Sequence, residues 1–268
     1  MNNIALGIEY LGSRYCGWQR QKHSNSVQQE LEKVLSEIAD ELVQVHCAGR
    51  TDTGVHATGQ VVNFKSAKER PDKAWILGAN TQLPDDIAVR WVQSVPENFH
   101  ARFSAIARRY RYIIVNSKAK PAILNSGLTW IRQSLDLDAM NAACETFIGE
   151  QNFSSFQAAS CQSRTAMRNI HHLYVKPAGN YLVIDIQANA FLHHMVRNIA
   201  GTLIEIGKGV KDPGWTSELI SLKDRTQAAA TASPNGLYLV DVAYPEEFKI
   251  PRVNLGPLFL ENQSGFTS

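Results

Sequence analysis

A chain of 268 residues, 44% hydrophobic and 19% charged, is long enough for one large domain or two small ones and apolar enough for a real core. Its formal net charge of +2 excludes a global field that would mark a nucleic-acid partner, so any basic footprint must be local. Cys16, Cys47, Cys144 and Cys161 stand far apart with no C-x-x-C pair, which argues against a zinc knuckle or a disulfide framework and fits a reducing compartment. No apolar run approaches the length of a membrane span. The N-terminus enters strand-like sequence directly, without a signal peptide, and a soluble, cytoplasmic protein is expected.

The first half predicts a β-α-β-β-α-β order. Ile4, Leu6, Ile8 and Tyr10 alternate as one face of a strand. A glycine-punctuated loop from Gly12 to Lys22 mixes Tyr15 and Trp18 with Arg14, Arg20 and Lys22. That mixture suits RNA, since bases stack on aromatic faces and phosphates pair with cations; a surface loop with a buried Trp anchor reads equally well. Ser26 and Gln29 form a capping box, and Val27, Leu31, Val34, Leu35, Ile38 and Leu42 follow at helical spacing. Strands are expected over 43–48 and 60–65, a short helix over 72–78 and a strand over 87–95. The order is that of a split βαβ, or ferredoxin-like, unit.

Residues 96–107 have no clean period and read as a crossover to a second unit. The expected division is an N-terminal α/β unit over 1–105 and a C-terminal one over 106–268. In the strand 108–116, alternation sends Tyr110, Tyr112 and Ile114 one way and Arg109 and Arg111 the other. A helix over 138–149 turns Met140, Ala143, Cys144 and Phe147 inward, and strands follow over 170–176 and 181–188. A helix over 191–207 aligns Met195, Ile199, Leu203 and Ile206, with Gly207 and Gly209 as stop signals. Asp212-Pro213 opens a further helix, a strand covers 237–244, and the tail from Pro251 looks irregular. With that extra helix set aside, the second half repeats the order of the first. The expected class is therefore α/β (α+β): two ferredoxin/RRM-like units joined through their sheets, with the active site in the central cleft.

The densest chemistry lies in Gly49-Arg50-Thr51-Asp52-Thr53-Gly54-Val55-His56-Ala57, an acid, a base, two hydroxyls and two glycines in the loop between two strands. Alone, Asp-Thr-Gly reads as an ordinary turn. Arg102, Arg108, Arg109 and Arg111 cluster in sequence, and tyrosines between them move the reading from a solvated strand face toward RNA. His193 and Arg197, four apart, share a face of the predicted helix; His193 and His194 point apart on it, and without H-E-x-x-H no metal site is expected. There is no G-x-S-x-G elbow and no phosphate-binding glycine motif, so neither a hydrolase triad nor a nucleotide cofactor is expected.

The wording GRTDxGVHA resembles the active-site signature of the tRNA pseudouridine synthase A family, with Asp52 at the position of its catalytic aspartate. The loop from Tyr10 resembles that family's Y-D-G-x-x-Y-x-G-W-Q-x-Q segment, apart from Leu11, where the family usually has Asp. FHARFSAxxRRYRY resembles its second motif, which implies that Tyr110 stacks on the target uridine. The stretch from Asn189 to Asn198 resembles its third, which implies that Arg197 reaches Asp52. The resemblance runs from about Ile4 to Tyr244. It implies isomerisation of uridine to pseudouridine at positions 38, 39 and 40 of the tRNA anticodon arm, by a homodimer without cofactor or metal. Arg50 and Arg197 join Tyr110 at the substrate, and Arg14, Arg20, Arg102, Arg108, Arg109 and Arg111 are the candidate RNA contacts. Two other classes compete. A non-catalytic protein with two RRM-like units would use the same arginines and tyrosines, but the RNP1 wording is missing. A glycoside hydrolase needs a second catalytic carboxylate, which nothing near Asp52 in sequence supplies.

Overall fold

The computed structural model describes residues 1–260. In chain order its strands are β1 (Asn2–Tyr10), β2 (His46–Cys47), β3 (His56–Ser66), β4 (Ile87–Val95), β5 (Ala107–Asn116), β6 (Thr129–Ile131), β7 (Gly149–Asn152), β8 (Met167–Ala178), β9 (Tyr181–Ala188) and β10 (Leu237–Ala243). Its α-helices are α1 (Val27–Ala39), α2 (Leu137–Cys144), α3 (Met195–Gly207) and α4 (Trp215–Leu222). The chain forms two compact units, Met1–Ile106 with the described residues from Tyr238 onward, and Ala107–Leu237.

In the first unit the strand order is β4-β1-β3-β2, each neighbour antiparallel, as a split βαβ unit requires. Leu6 of β1 lies opposite Val62 on one side and Val92 on the other. Being central, β1 buries Asn3 and Ala5 as well as the alternating set Ile4, Leu6, Ile8 and Tyr10. The strand expected over 43–48 shrinks to β2. Val43 and Val45 are buried, but their amides donate to Ser36 Oγ and Glu32 Oε1 of α1, both at 3.0 Å, rather than to a ladder. Helix α1 starts where its cap predicts, with Ser26 Oγ accepting the Gln29 N–H. It ends at Ala39 because Asp40 turns left-handed at φ 53°, which leaves Leu42 82% exposed rather than on the buried stripe. The short helix before β4 is wound as a π-helix over Ala74–Gly78 and inserts Trp75 edge-on against Phe64, 5.2 Å between centroids.

The last strand corrects the expected division. Counted by sequence with the second half, it groups with the first unit, because Tyr238 and Leu239 of β10 pair in parallel with His56 and Ala57 of β3. Beyond it, Tyr244 Oη donates to the Ala101 carbonyl at 2.6 Å, and Phe99 packs against both Tyr244 and Phe248. Of the tail expected to be irregular, residues 251–260 contain one short 3-10 turn, Leu258–Leu260; the remainder lies outside the described residues.

In the second unit β5, β9, β8 and β7 form an antiparallel series, with β6 parallel to β5. Met140, Ala143, Cys144 and Phe147 are buried, as their spacing predicts. Helix α3 buries Met195, Ile199, Leu203 and Ile206, and also Val196, Ala200 and Ile204, so it is covered on more than one side. Strands β6 and β7 had no periodic signal, being only a few residues each.

Candidate active site

Asp52 is half-buried in the turn between β2 and β3. Its carbonyl accepts the Val55 N–H at 3.1 Å, which closes the turn. Gln60, fully buried on β3, holds the start of the stretch: its Nε2 donates to the Gly49 carbonyl at 2.7 Å and its Oε1 accepts the Gly49 N–H at 3.4 Å. Thr51 Oγ1 and Tyr10 Oη share a hydrogen bond of 2.8 Å. His56, the base of this stretch, is fully buried, its ring 4.7 Å from that of Tyr238. Its Nδ1 accepts the Gly12 N–H at 2.9 Å. Arg50 is exposed.

A second loop, 11–18, lies against this turn. The Trp18 N–H donates to the Thr51 carbonyl at 3.0 Å, and the Gly54 N–H donates to the Tyr15 carbonyl at 3.4 Å. Two glycines are required by the approach. A Cβ at Gly12 would sit 1.9 Å from the Val55 carbonyl oxygen, and one at Gly17 would sit 2.7 Å from that of Thr51. Gly17 also has φ +86°, where other residues are strained. The N-terminus of α1 secures the far end of the loop, since the amides of Val27 and Gln28 donate to the carbonyls of Gly17 and Trp18. Tyr15 and Trp18 are buried anchors, with Trp18 tilted on Tyr10 at 5.8 Å, so the stacking reading of this loop gives way to the architectural one. Its arginines lie outward: Arg14 pairs with Asp86 and Arg20 with Glu32. Also in this unit, the Arg102 guanidinium lies 5.5 Å from the ring centroid of exposed Phe103.

The remaining predicted residues belong to the second unit. Tyr110 is 8% exposed and meets Phe191 edge-on at 5.1 Å. Arg108 donates to the Asn189 carbonyl at 3.0 Å. Arg109 and Arg111 converge on one residue that sequence reasoning passed over, Asp185 of β9. Arg109 grips it with Nε at 2.7 Å and Nη2 at 2.9 Å, Arg111 reaches it with Nε at 2.9 Å, and His172 Nε2 lies 2.9 Å from it. Burial alone would raise the pKa of Asp185, but the hydrogen bonds from His172, Arg109 and Arg111 outweigh it and hold the carboxyl well below the usual range. Arg111 is 1% exposed and bonds Asp185, which braces β5 against β9. Arg109, 18% exposed and gripping the same acid, is mainly a partner of Asp185 too. The signal was present in Val183-Ile184-Asp185-Ile186, where an acid inside an apolar strand demands a buried cation.

The two histidines also differ from expectation. His194 has φ 62° and precedes the first residue of α3, so neither His193 nor His194 is helical, and their ring centroids lie 4.1 Å apart instead of diverging. Arg197 is helical and half-buried. Its Nε donates to the Ala232 carbonyl at 2.8 Å, and its own carbonyl accepts the Ala232 N–H at 3.2 Å.

Comparison with known proteins shows the family of the chain. A family model described as tRNA pseudouridine synthase matches residues 7–104 and 143–245. A protein of Shewanella piezotolerans named tRNA pseudouridine synthase A is 60% identical over 257 residues, covering 96% of this chain and 98% of its own. Proteins with the same name from Enterobacter sp., 57% identical with 97% of this chain covered, and Hydrogenovibrio crunogenus, 57% identical with 96% covered, agree. Matched over most of its length by the family and nearly end to end by its relatives, with the half-buried acid inside the first matched segment, this chain belongs to the tRNA pseudouridine synthase family.

Proposed function

We propose that this chain converts uridine to pseudouridine at positions 38, 39 and 40 of tRNA, with Asp52 as the catalytic carboxylate. The observation that carries the assignment is the way the turn is held. The carbonyl and hydroxyl of Thr51, the carbonyl of Asp52 and the N–H of Gly54 all have partners, so the backbone around a half-buried acid is fixed before substrate arrives. Such preorganisation is what a reacting carboxylate needs.

The reaction breaks the bond from uracil N1 to C1′ of the sugar, turns the base, and remakes the link through C5. N1 gains a proton and C5 releases one, so there is no net redox change or hydrolysis. A carboxylate serves as a nucleophile toward sugar or base, or as a base toward a sugar proton. A base within a stem must first be extruded, at a cost of a few kcal/mol. Tyr110 is the proposed stacking face for it, and Arg50 and Arg197 are proposed substrate contacts. Arg14, Arg20, Arg102 and Arg108 are the proposed phosphate contacts. The working form in this reading is a cytoplasmic homodimer.

Tritium release from tRNA labelled at uridine C5 tests the assignment, because only isomerisation exchanges that hydrogen. The parent protein is expected to release tritium. Asp52→Asn is expected to bind tRNA and release none, and Arg197→Lys, without the planar fork, to fold and lose much of the rate. Parent-level release by Asp52→Asn rejects the acid.

A further inference from the structure

We propose that Asp86, at the turn leading into β4, is a positioning residue for Asp52, acting through the loop 11–18. This rests on the catalytic reading of Asp52 and adds a residue more than thirty positions away in sequence.

Three bonds run from Asp86 into that loop. Its main-chain carbonyl accepts the Leu11 N–H at 2.9 Å. Its Oδ1 accepts the Tyr15 hydroxyl at 2.6 Å, and its Oδ2 accepts Arg14 Nε at 2.6 Å. The loop in turn holds the catalytic turn from both sides: Tyr15 through its carbonyl on the Gly54 N–H, Trp18 through its N–H on the Thr51 carbonyl, and Gly12 through its N–H on His56. Tyr15 is thus the joint. Its ring is buried, its hydroxyl ends on Asp86, and its carbonyl reaches a residue two places from Asp52.

The charges suit a permanent clamp. Burial, followed by the hydrogen bond to Asp86, pushes the Tyr15 phenol up, so it remains a donor. Burial works against the Asp86 carboxylate, but hydrogen bonds from Arg14 and Tyr15 outweigh it and hold its pKa below the usual value, so it remains an acceptor. Hydrogen bonds to an ionised acceptor are about twice as strong as neutral ones. Leu11, 39% exposed, enters this arrangement through its backbone N–H.

The test uses the full chain with tRNA substrate and two variants that leave ring and volume in place, Tyr15→Phe and Asp86→Asn. Small displacements of a reacting group cost up to about a hundredfold in rate. Each variant is expected to lower kcat by at least about tenfold while KM for tRNA stays within about twofold, the pattern of an interaction that acts on the transition state. The double variant should lose no more than the worse single one, since both remove the same link. Amide exchange at Gly54 and Trp18 should quicken in both while the core strands stay protected. Exposed Asp85, its neighbour, supplies the control, and Asp85→Asn should keep the parent kcat. Parent-level kcat in Tyr15→Phe and Asp86→Asn, with Asp52→Asn inactive, overturns the role of Asp86 alone. Additive losses in the double variant, or a raised KM with unchanged kcat, overturn it as well. Turnover by Asp52→Asn at the parent rate overturns the catalytic reading, whatever Asp86 does.

Discussion

At the scale of single residues, burial decides what each charge does. Arg109 and Arg111 alternate with tyrosines along β5, and alternation correctly puts both on one face. It could not tell that the face is covered and that Asp185, more than seventy residues on, bonds both. The consequence is a pH dependence of known sign. The folded-state pKa of Asp185 is depressed, so its stabilising contribution is complete above the unfolded-state value of about 3.9 and is lost as pH falls below it. Denaturant unfolding below about pH 4 should show stability falling with pH, and Asp185→Asn should flatten that limb. At neutral pH the same substitution removes the buried carboxylate that Arg109 and Arg111 both bond and should cost about 3–5 kcal/mol. An Asp185→Asn protein as stable as the parent would show that the cluster is not what holds β5 to β9.

At the scale of elements, the turn carrying Asp52 depends on another loop for its shape. Gly17 is the point of closest fit, with positive φ and no room for a Cβ against the Thr51 carbonyl. Gly17→Ala should therefore cost about 1–2 kcal/mol for the left-handed backbone alone. It should also shift Thr51, because the obstructing atom is backbone and cannot rotate away. The expected result is a lower melting midpoint together with slower single-turnover tritium release measured well below that midpoint. A lower melting midpoint without any change in turnover would place the loop outside the machinery. The predicted strand over 43–48 carries a related lesson. Its apolar residues are buried as a strand's would be, yet two of its amides bond to side chains of α1, and a pattern of hydrophobicity does not record where an amide finds its partner.

For the whole molecule, a net charge of +2 leaves tRNA affinity to local cations. Affinity should fall as salt rises, since each neutralised phosphate releases counterions, at a log–log slope of about 0.7–0.9 per contact. Arg50→Ala should reduce that slope by about one contact, whereas Arg111→Gln should lower stability and leave the slope unchanged, because its side chain is buried. Binding titrations across salt concentrations distinguish the two, and an affinity indifferent to salt would reject the electrostatic account. What the sequence by itself determined here is local: the periods of α1, β1, β4 and β5, the cap at Ser26, the loop position of Asp52 and the motifs that carry the family resemblance. Each depends on neighbours within a few residues, which is the range over which propensity and periodicity act. The tertiary structure alone decided that β10 lies beside β3, that Asp185 takes two arginines, and that Asp86 holds Tyr15 against the turn of Asp52. These are hydrogen bonds and ion pairs between residues far apart in the chain, and which polar group meets which is set by how strands and loops stack, not by the spacing of the residues themselves.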